Sequence, residues 1–317
     1  MFDKEFCRSY LGGSAAFWDA AEETSAIIMG NAELECLRAA LREALLENHD
    51  PSAGRRTMES LAECVKKISP GKQDLCIIPV LCEMLPEAIA FYRAQGTPED
   101  VIQATFRDVM RWVSHYANTH DGKPGLNEYQ WVGLHYAGEL FEFGRLQYQK
   151  NRWEFSCFVW QLPDGSLCIR PDSGQLPPEE GVLLLYPGAP VLNLHIPAGE
   201  RLSKETIDAS LCAAAGFFRQ QGYPSRIAVC DSWLLDPVLD RFLPEESNIR
   251  AFAARFTRLP GGTGSTAGRF LFRTDYTPKM LHEIQPQTAL QRGVHAYLCE
   301  GGTLRDTAGF LFLPQEQ

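Results

Sequence analysis

Along the first 142 residues apolar side chains recur every three or four positions, and from Gly144 onward they alternate with polar ones or fall in short runs between turn residues. The first pattern predicts helices almost throughout. Residues 31–47 place Leu34, Leu37, Ala40, Leu41, Ala44 and Leu45 on one face behind Asn31, a helix cap. Met58 to Ile68 repeats the spacing with Leu61, Cys64, Val65 and Ile68, and the Ser-Pro-Gly turn at 69–71 stops it. The run from Leu75 to Gly96 carries Pro79 and Pro86, which predicts a kinked or interrupted helix. Thr97 then caps a helix with Pro98 at its first position, running to about Ala117 with Ile102, Phe106, Val109, Met110 and Val113 toward a core. One more helix spans 127–143, so five or six helices with short connections describe a bundle.

The second pattern predicts antiparallel strands in GRLQYQ, EFSCFVWQL, SLCIR and GVLLLY, with loop in the rest of 171–190. Residues 191–235 form the centre of this half. Val191, Leu192, Leu194 and Ile196 make an apolar strand that Pro197 and Gly199 break, and Ser203 stands where a helix cap belongs. Leu202 and Ile207 flank that cap as a hydrophobic staple. Ile207, Leu211, Ala214, Ala215 and Phe218 continue at helical spacing to Gly222 and Pro224, and a second strand starts at Arg226. This is a βαβ unit, whose strands run parallel with a right-handed crossover. Beyond it, Asp236-Pro237 opens a short helix and SNIRAFAARF another. GRFLFRT at 268–274 reads as a strand, TALQRGVHAYLCEGG as helical or mixed, and AGFLFLP as a last strand.

Length and charge narrow the class. With 317 residues the chain suffices for two domains, which the change of period places at 1–142 and 143–317. A net charge of −10 without a basic stretch disfavours nucleic acid. No apolar run is long enough to span a bilayer and no signal segment opens the chain, so a cytosolic protein without membrane attachment is expected. Ten cysteines are scattered without a C-x-x-C pair or a zinc spacing, which predicts reduced, mostly buried thiols and no metal. His115, His120 and His135 form no H-E-x-x-H arrangement either and read as structural.

Candidate chemistry gathers after the two strands of the βαβ unit, because ligands of open α/β sheets bind beyond the carboxyl ends of the strands. His195 interrupts an apolar strand just before the loop, and an ordinary imidazole pKa of roughly 6.5 suits a general base or a hydrogen-bonded anchor. Asp231 and Ser232 end the second strand. The helix start offers backbone N–H groups to an anion, which Arg201 and Lys204 support and Glu200 and Glu205 oppose. Cys230 or Ser232 with His195 would make a hydrolase, although G-x-S-x-G is absent. Gly262-x-Gly264-x-x-Ala267 matches a dinucleotide fingerprint in letters, but it precedes a predicted strand where that fingerprint needs a helix.

The order of segments from 144 to 317 resembles the GNAT superfamily of N-acyltransferases. FGRLQYQ at 143–149, LHIPAGERLSKETIDASL at 194–211, CDSWLLDP at 230–237 and SNIRAFAARF at 247–256 are similar to a bacterial family that joins a helical N-terminal domain to a GNAT-like C-terminal one. The resemblance implies an N-terminal α-helical bundle followed by a GNAT-like mixed sheet with flanking helices. It also implies acetyl-CoA or another acyl-CoA as co-substrate and direct transfer to a small-molecule amine in a ternary complex. Carried onto this chain, coenzyme A would lie on Ile196, Gly199, Glu200, Arg201, Leu202, Ser203, Lys204 and Asn248, with His195, Asp231 and Ser232 as catalytic candidates. Where the superfamily's pyrophosphate loop reads Q/R-x-x-G-x-G/A, this chain reads A-G-E-R-L-S, and no tyrosine follows in 233–256 to act as acid. A non-catalytic protein that uses the same fold to bind a small ligand or a partner is therefore the rival expectation, with the hydrolase third.

Overall fold

The computed structural model describes residues 2–171, 180–262, 264, 266–272 and 280–315. Two compact units divide the chain, Met1–Gln149 with Ile196–Ala198, and Lys150–His195 with Gly199–Gln317.

Among the described residues the first unit holds seven α-helices: α1 (Lys4–Leu11), α2 (Ala15–Ile28), α3 (Ala32–Arg42), α4 (Pro51–Ile68), α5 (Ile77–Ala94), α6 (Glu99–Thr119) and α7 (Tyr129–Tyr136). Local chemistry sets several starts. Asn31 accepts from the N–H groups of Glu33 and Leu34, and Asp50 does the same for Ser52 and Ala53, with Pro51 in the first turn. α5 runs unbroken through Pro86, because its buried face, including Val80, Leu81, Leu85 and Ile89, outweighs one lost backbone bond. Ile68, expected on the core face of α4, is half exposed at the helix end.

Two expectations fail here. Thr97 does not cap α6: Pro98 takes the cap position, and the buried Thr97 hydroxyl has no partner among the described residues. The last predicted helix stops at Tyr136, and Leu140–Phe143 is instead β1, paired antiparallel with β2 (Leu146–Arg152), Leu140 opposite Gln149. All four residues of β1 are buried, and a short run buried on both sides carries no period by which helix and strand differ. Gly138 makes the switch, with φ +74° and a position where a side chain would overlap the Phe91 ring. Gly138→Ala is expected to cost about 1–3 kcal/mol through the strained backbone and the overlap, read as a lowered urea midpoint.

The second unit contains β3 (Cys157–Gln161), β4 (Leu167–Pro171), β5 (Val182–Leu185), β6 (Pro190–His195), α8 (Lys204–Gln220), β7 (Ile227–Ser232), α9 (Asn248–Ala253), β8 (Thr257–Arg258), α10 (Ala289–Cys299) and β9 (Thr307–Phe312). β3 lies between β4 and β5 in an antiparallel sheet. In the mixed sheet β6 and β7 are parallel, β7 pairs antiparallel with β9 and β9 with β8. The βαβ unit forms as its sequence dictates: Ser203 accepts from Thr206 N–H at 3.2 Å, and Leu202 and Ile207 are both buried.

Val191, Ile227, Val229, Ala308 and Phe310 from one face of the mixed sheet pack with Trp153, Val159 and Leu185 beneath the three-stranded sheet. That leaves the opposite face to the crossover helix α8. The predicted strand at 268–274 is corrected as well. Gly268–Phe272 is a π-helical turn whose Leu271 carbonyl accepts from the Gln291 side chain of α10 at 2.6 Å, and the remaining positions lie outside the described residues. Its aromatic run suited a strand, but Phe270 is half exposed and the α10 contact decides the backbone.

Candidate functional site

The parallel ladder of β6 and β7 joins Leu192 to Ala228 and Asn193 to Val229. β6 runs on to His195, and β7 keeps its pairing with β9 through Cys230, Asp231 and Ser232, opposite Gly309, Ala308 and Thr307. Beyond Asn193 and Val229 the two neighbours therefore part while staying extended. No further parallel pairing between β6 and β7 follows beyond these two positions among the described residues.

Alternation along a strand sorts the candidates between the two faces of the sheet. Val191, Asn193 and His195 share one face of β6; Ile227, Val229 and Asp231 share one face of β7. Val191, Ile227 and Val229 belong to a single core cluster, so His195 and Asp231 stand on the same side. Ser232 and Cys230 lie on the other. The Ser232 hydroxyl accepts from Leu234 N–H at 3.2 Å, ending the strand in a 3-10 turn. Of the three catalytic candidates the fold thus groups two and turns the third away.

The loop after β6 is held at its start, where Arg145 donates to the Pro197 carbonyl at 2.7 Å within the first unit. Ala198 to Arg201 are exposed, and Gly199 has φ +153° with open space where a side chain would stand. Leu202 is buried, so only its backbone faces the loop. Charges at the start of α8 balance. Lys204 pairs with Asp208 at 3.3 Å, Arg255 pairs with the same carboxylate at 2.5 Å, and the Arg201 side chain makes no ion pair among the described residues. Hydrogen bonds from its own backbone N–H and from Ser203 pull the Glu205 carboxyl below the ordinary range. Asn248 is exposed at the start of α9, a helix of six residues that Ser247 caps.

On the face of His195 and Asp231 lies a cavity of about 270 Å³, walled by Phe155, Cys157, Leu259, Pro260 and Ala308 and carrying Asp231 and Asp306. Partial burial and the neighbouring Asp306 carboxylate push the Asp231 carboxyl up. Asp306 is anchored, since it accepts from Thr266 N–H and from the Thr266 hydroxyl at 3.0 Å. Gly262 in the cavity wall passes close to the backbone of Asp306, where a Cβ would come within 3.0 Å of the carbonyl. Gly262 is thus closely packed whereas Gly264 has open space around it, and Gly268–Phe272 beyond the motif is a π-helical turn in place of the helix of a dinucleotide site.

Residues 140–311 match the family described as GNAT-like C-terminal domain, and residues 17–138 match N-acyltransferase N-terminal domain. The chain belongs to the GNAT-like N-acyltransferases. Solved structures of an acyltransferase share the fold at 22% identity and a TM-score of 0.62, covering 98% of this chain and 100% of the other. Those structures are described as complexes with CoA and 10C-teicoplanin, and with decanoyl-CoA and teicoplanin. A third, a mutant of the acyltransferase in complex with octanoyl-CoA, aligns equally well. No curated protein matches the chain.

In this N-acyltransferase-family chain the thiol of Cys230 is buried and pushed well up by burial, so it holds its proton and is a poor nucleophile. With Ser232 on the wrong face and committed to a turn, the hydrolase expectation loses both nucleophiles. Cys7, Cys64, Cys76 and Cys82 are buried free thiols as expected, whereas Cys36, Cys212 and Cys299 are exposed. Among the described residues no cluster of three metal-ligating side chains occurs, and no helix is long and apolar enough to cross a membrane. Sequence reasoning missed Asp306, Phe155 and Leu259, which come from the residue before β9 and from segments beside β3 and β8. No local motif marks them, because only the sheet order brings them to Asp231.

Proposed function

We propose that this chain transfers an acyl group from acyl-CoA to a small-molecule amine in a ternary complex. The observation that carries the reading is the parting of β6 and β7 beyond Asn193 and Val229. A pantetheine arm has amides that can pair with strand edges, and the opening lies at the carboxyl ends of parallel strands, where ligands of such sheets bind. The likeness to acyltransferase structures that hold CoA, acyl-CoA and teicoplanin supports the same reading.

Pyrophosphate would lie on the exposed 198–201 loop and the start of α8. Gly199 admits close approach, Arg201 supplies the uncommitted positive charge and the start of α8 adds its positive dipole end. Glu205 occupies part of that ground and yields it when phosphate binds. His195 accepts the proton of the attacking amine, directly or through one water. The nitrogen adds to the thioester carbonyl, and backbone N–H groups at the opening stabilise the oxyanion. Collapse forms the amide and expels the coenzyme A thiolate, which takes up a proton. Ser232 and Asn248 have no part in these steps.

Calorimetric titration with acetyl-, octanoyl- and decanoyl-CoA tests the reading. Micromolar binding is expected, weakened about tenfold by Arg201→Glu. Glu205→Gln is expected to tighten it roughly two- to fivefold by removing a negative charge from the helix start. Absence of binding to all three thioesters would leave a ligand-binding protein on an acyltransferase fold.

A further inference from the structure

The cavity beside Asp231 holds an imbalance. Two carboxylates line a space whose remaining walls are mainly Phe155, Cys157, Leu259, Pro260 and Ala308 with Ser156 beside them, and among the described residues no lysine or arginine lines it. Asp306 is bonded to Thr266, but the Asp231 carboxylate makes no hydrogen bond or ion pair among the described residues. Asp231 stands exposed at the edge of this space, where partial desolvation and the neighbouring Asp306 charge push its carboxyl up, and a cation joining the two carboxylates relieves their repulsion. A hard metal ion is a poor occupant, since it needs six or so oxygen ligands and, beyond the two carboxylates, Ser156 brings the only other side-chain oxygen among the lining residues described. An organic ammonium on a compact apolar body matches both the charge and the walls.

We propose that this cavity is the acceptor subsite and selects a substrate with a cationic nitrogen on an apolar body, Asp231 being its counter-ion. The proposal rests on the acyltransferase reading, because it places the acceptor on the face of the sheet that His195 shares with Asp231. The fold separates the two substrates accordingly. The thioester enters through the opening between β6 and β7, and the acceptor approaches from the side of the three-stranded sheet. Asp231 is a binding residue in this arrangement, and His195 alone handles the proton of the reacting nitrogen. Acceptors with a second basic nitrogen suit the site best, one nitrogen remaining charged against Asp231 while the other reacts.

The test uses phenethylammonium chloride and its neutral analogue 2-phenylethanol, titrated by NMR into the full chain and into Asp231→Asn. The ammonium is expected to bind at least tenfold more tightly than the alcohol, with shifts at Phe155, Cys157 and Leu259, and Asp231→Asn is expected to abolish that preference. Equal affinity for the two probes in the unmodified chain would overturn the proposal without recourse to any variant, as would a preference that survives Asp231→Asn. Tighter binding of magnesium ion than of the ammonium would also overturn it. Acyl-CoA titration runs alongside. If acyl-CoA fails to bind while the ammonium preference holds, the acyltransferase reading falls and a cation-binding cavity remains; if acyl-CoA binds and the preference is missing, only the acceptor subsite falls.

Discussion

Replacing His195 with alanine is expected to lower kcat by roughly 10²–10⁴-fold while leaving acyl-CoA affinity within about twofold. The assay is thiol release from acyl-CoA in the presence of an accepted amine. His195 ends β6 where the ladder with β7 has stopped, on the side of the sheet that Asp231 shares, so in the proposed reaction its ring would border the space between thioester and amine. Glutamine at 195 keeps a polar side chain of similar reach but cannot take up a proton at neutral pH, and is expected to be nearly as impaired. Full activity in either variant would remove His195 from the mechanism and leave the base to be sought elsewhere in the opening. Ser232→Ala provides the contrast, with activity retained and a small loss of stability through the missing turn bond to Leu234.

Asp108→Ala is expected to cost about 3–5 kcal/mol of stability, measured by urea unfolding. Asp108 is buried in the first unit, and four donors converge on it. Arg111 donates at 2.7 Å to one oxygen; Trp112 at 3.1 Å and Trp131 at 2.7 Å donate to the other, which His135 also meets at 3.2 Å. Arg111 bridges onward to the buried Glu142, which takes a further bond from Gln147 at 2.8 Å. Removing the central carboxylate strands all these partners, and the stranded donors account for the size of the effect.

The pH dependence follows with its sign. Burial alone would push the Asp108 carboxyl up, but the hydrogen bond and charge of His135, the Arg111 charge and the Trp131 N–H outweigh it and hold it well below the usual range. A folded-state value beneath the unfolded one of roughly 3.9 contributes stability that is complete above about pH 4 and lost as acid titrates the native carboxylate. Glu142 works the other way: burial outweighs Arg111 and Gln147 and raises its carboxyl, so its contribution is present below the unfolded value near 4.3 and declines as pH rises. Asp108→Asn is therefore expected to flatten the acid limb of a stability profile, and Glu142→Gln to flatten its approach to neutrality. Acid limbs of equal slope with and without Asp108 would show that the network carries no net linkage.

What the sequence determined by itself was whatever local chemistry decides. Asn31 and Ser203 cap helices because a short side-chain oxygen followed by apolar spacing leaves few alternatives, and the βαβ unit forms because its strands, breakers and staple agree. The helical first half and mixed-sheet second half were legible for the same reason, as was the family from its run of short words. Where burial was complete the period vanished, and Leu140–Phe143 read as helix although its partner across the turn at Gly144 makes it a strand. At Gly268–Phe272 a side chain from α10 set the backbone against its own propensity.

The site divides along the same line. His195, Asp231 and the 197–204 loop could be named because strand ends in a βαβ unit attract ligands, but their grouping could not. Ser232, one residue from Asp231, faces away because side chains alternate along a strand. Asp306, distant in sequence, stands beside Asp231 because β9 pairs antiparallel with β7. Only the tertiary structure decides such neighbours, since pairing register is a contact between segments and no single segment carries it.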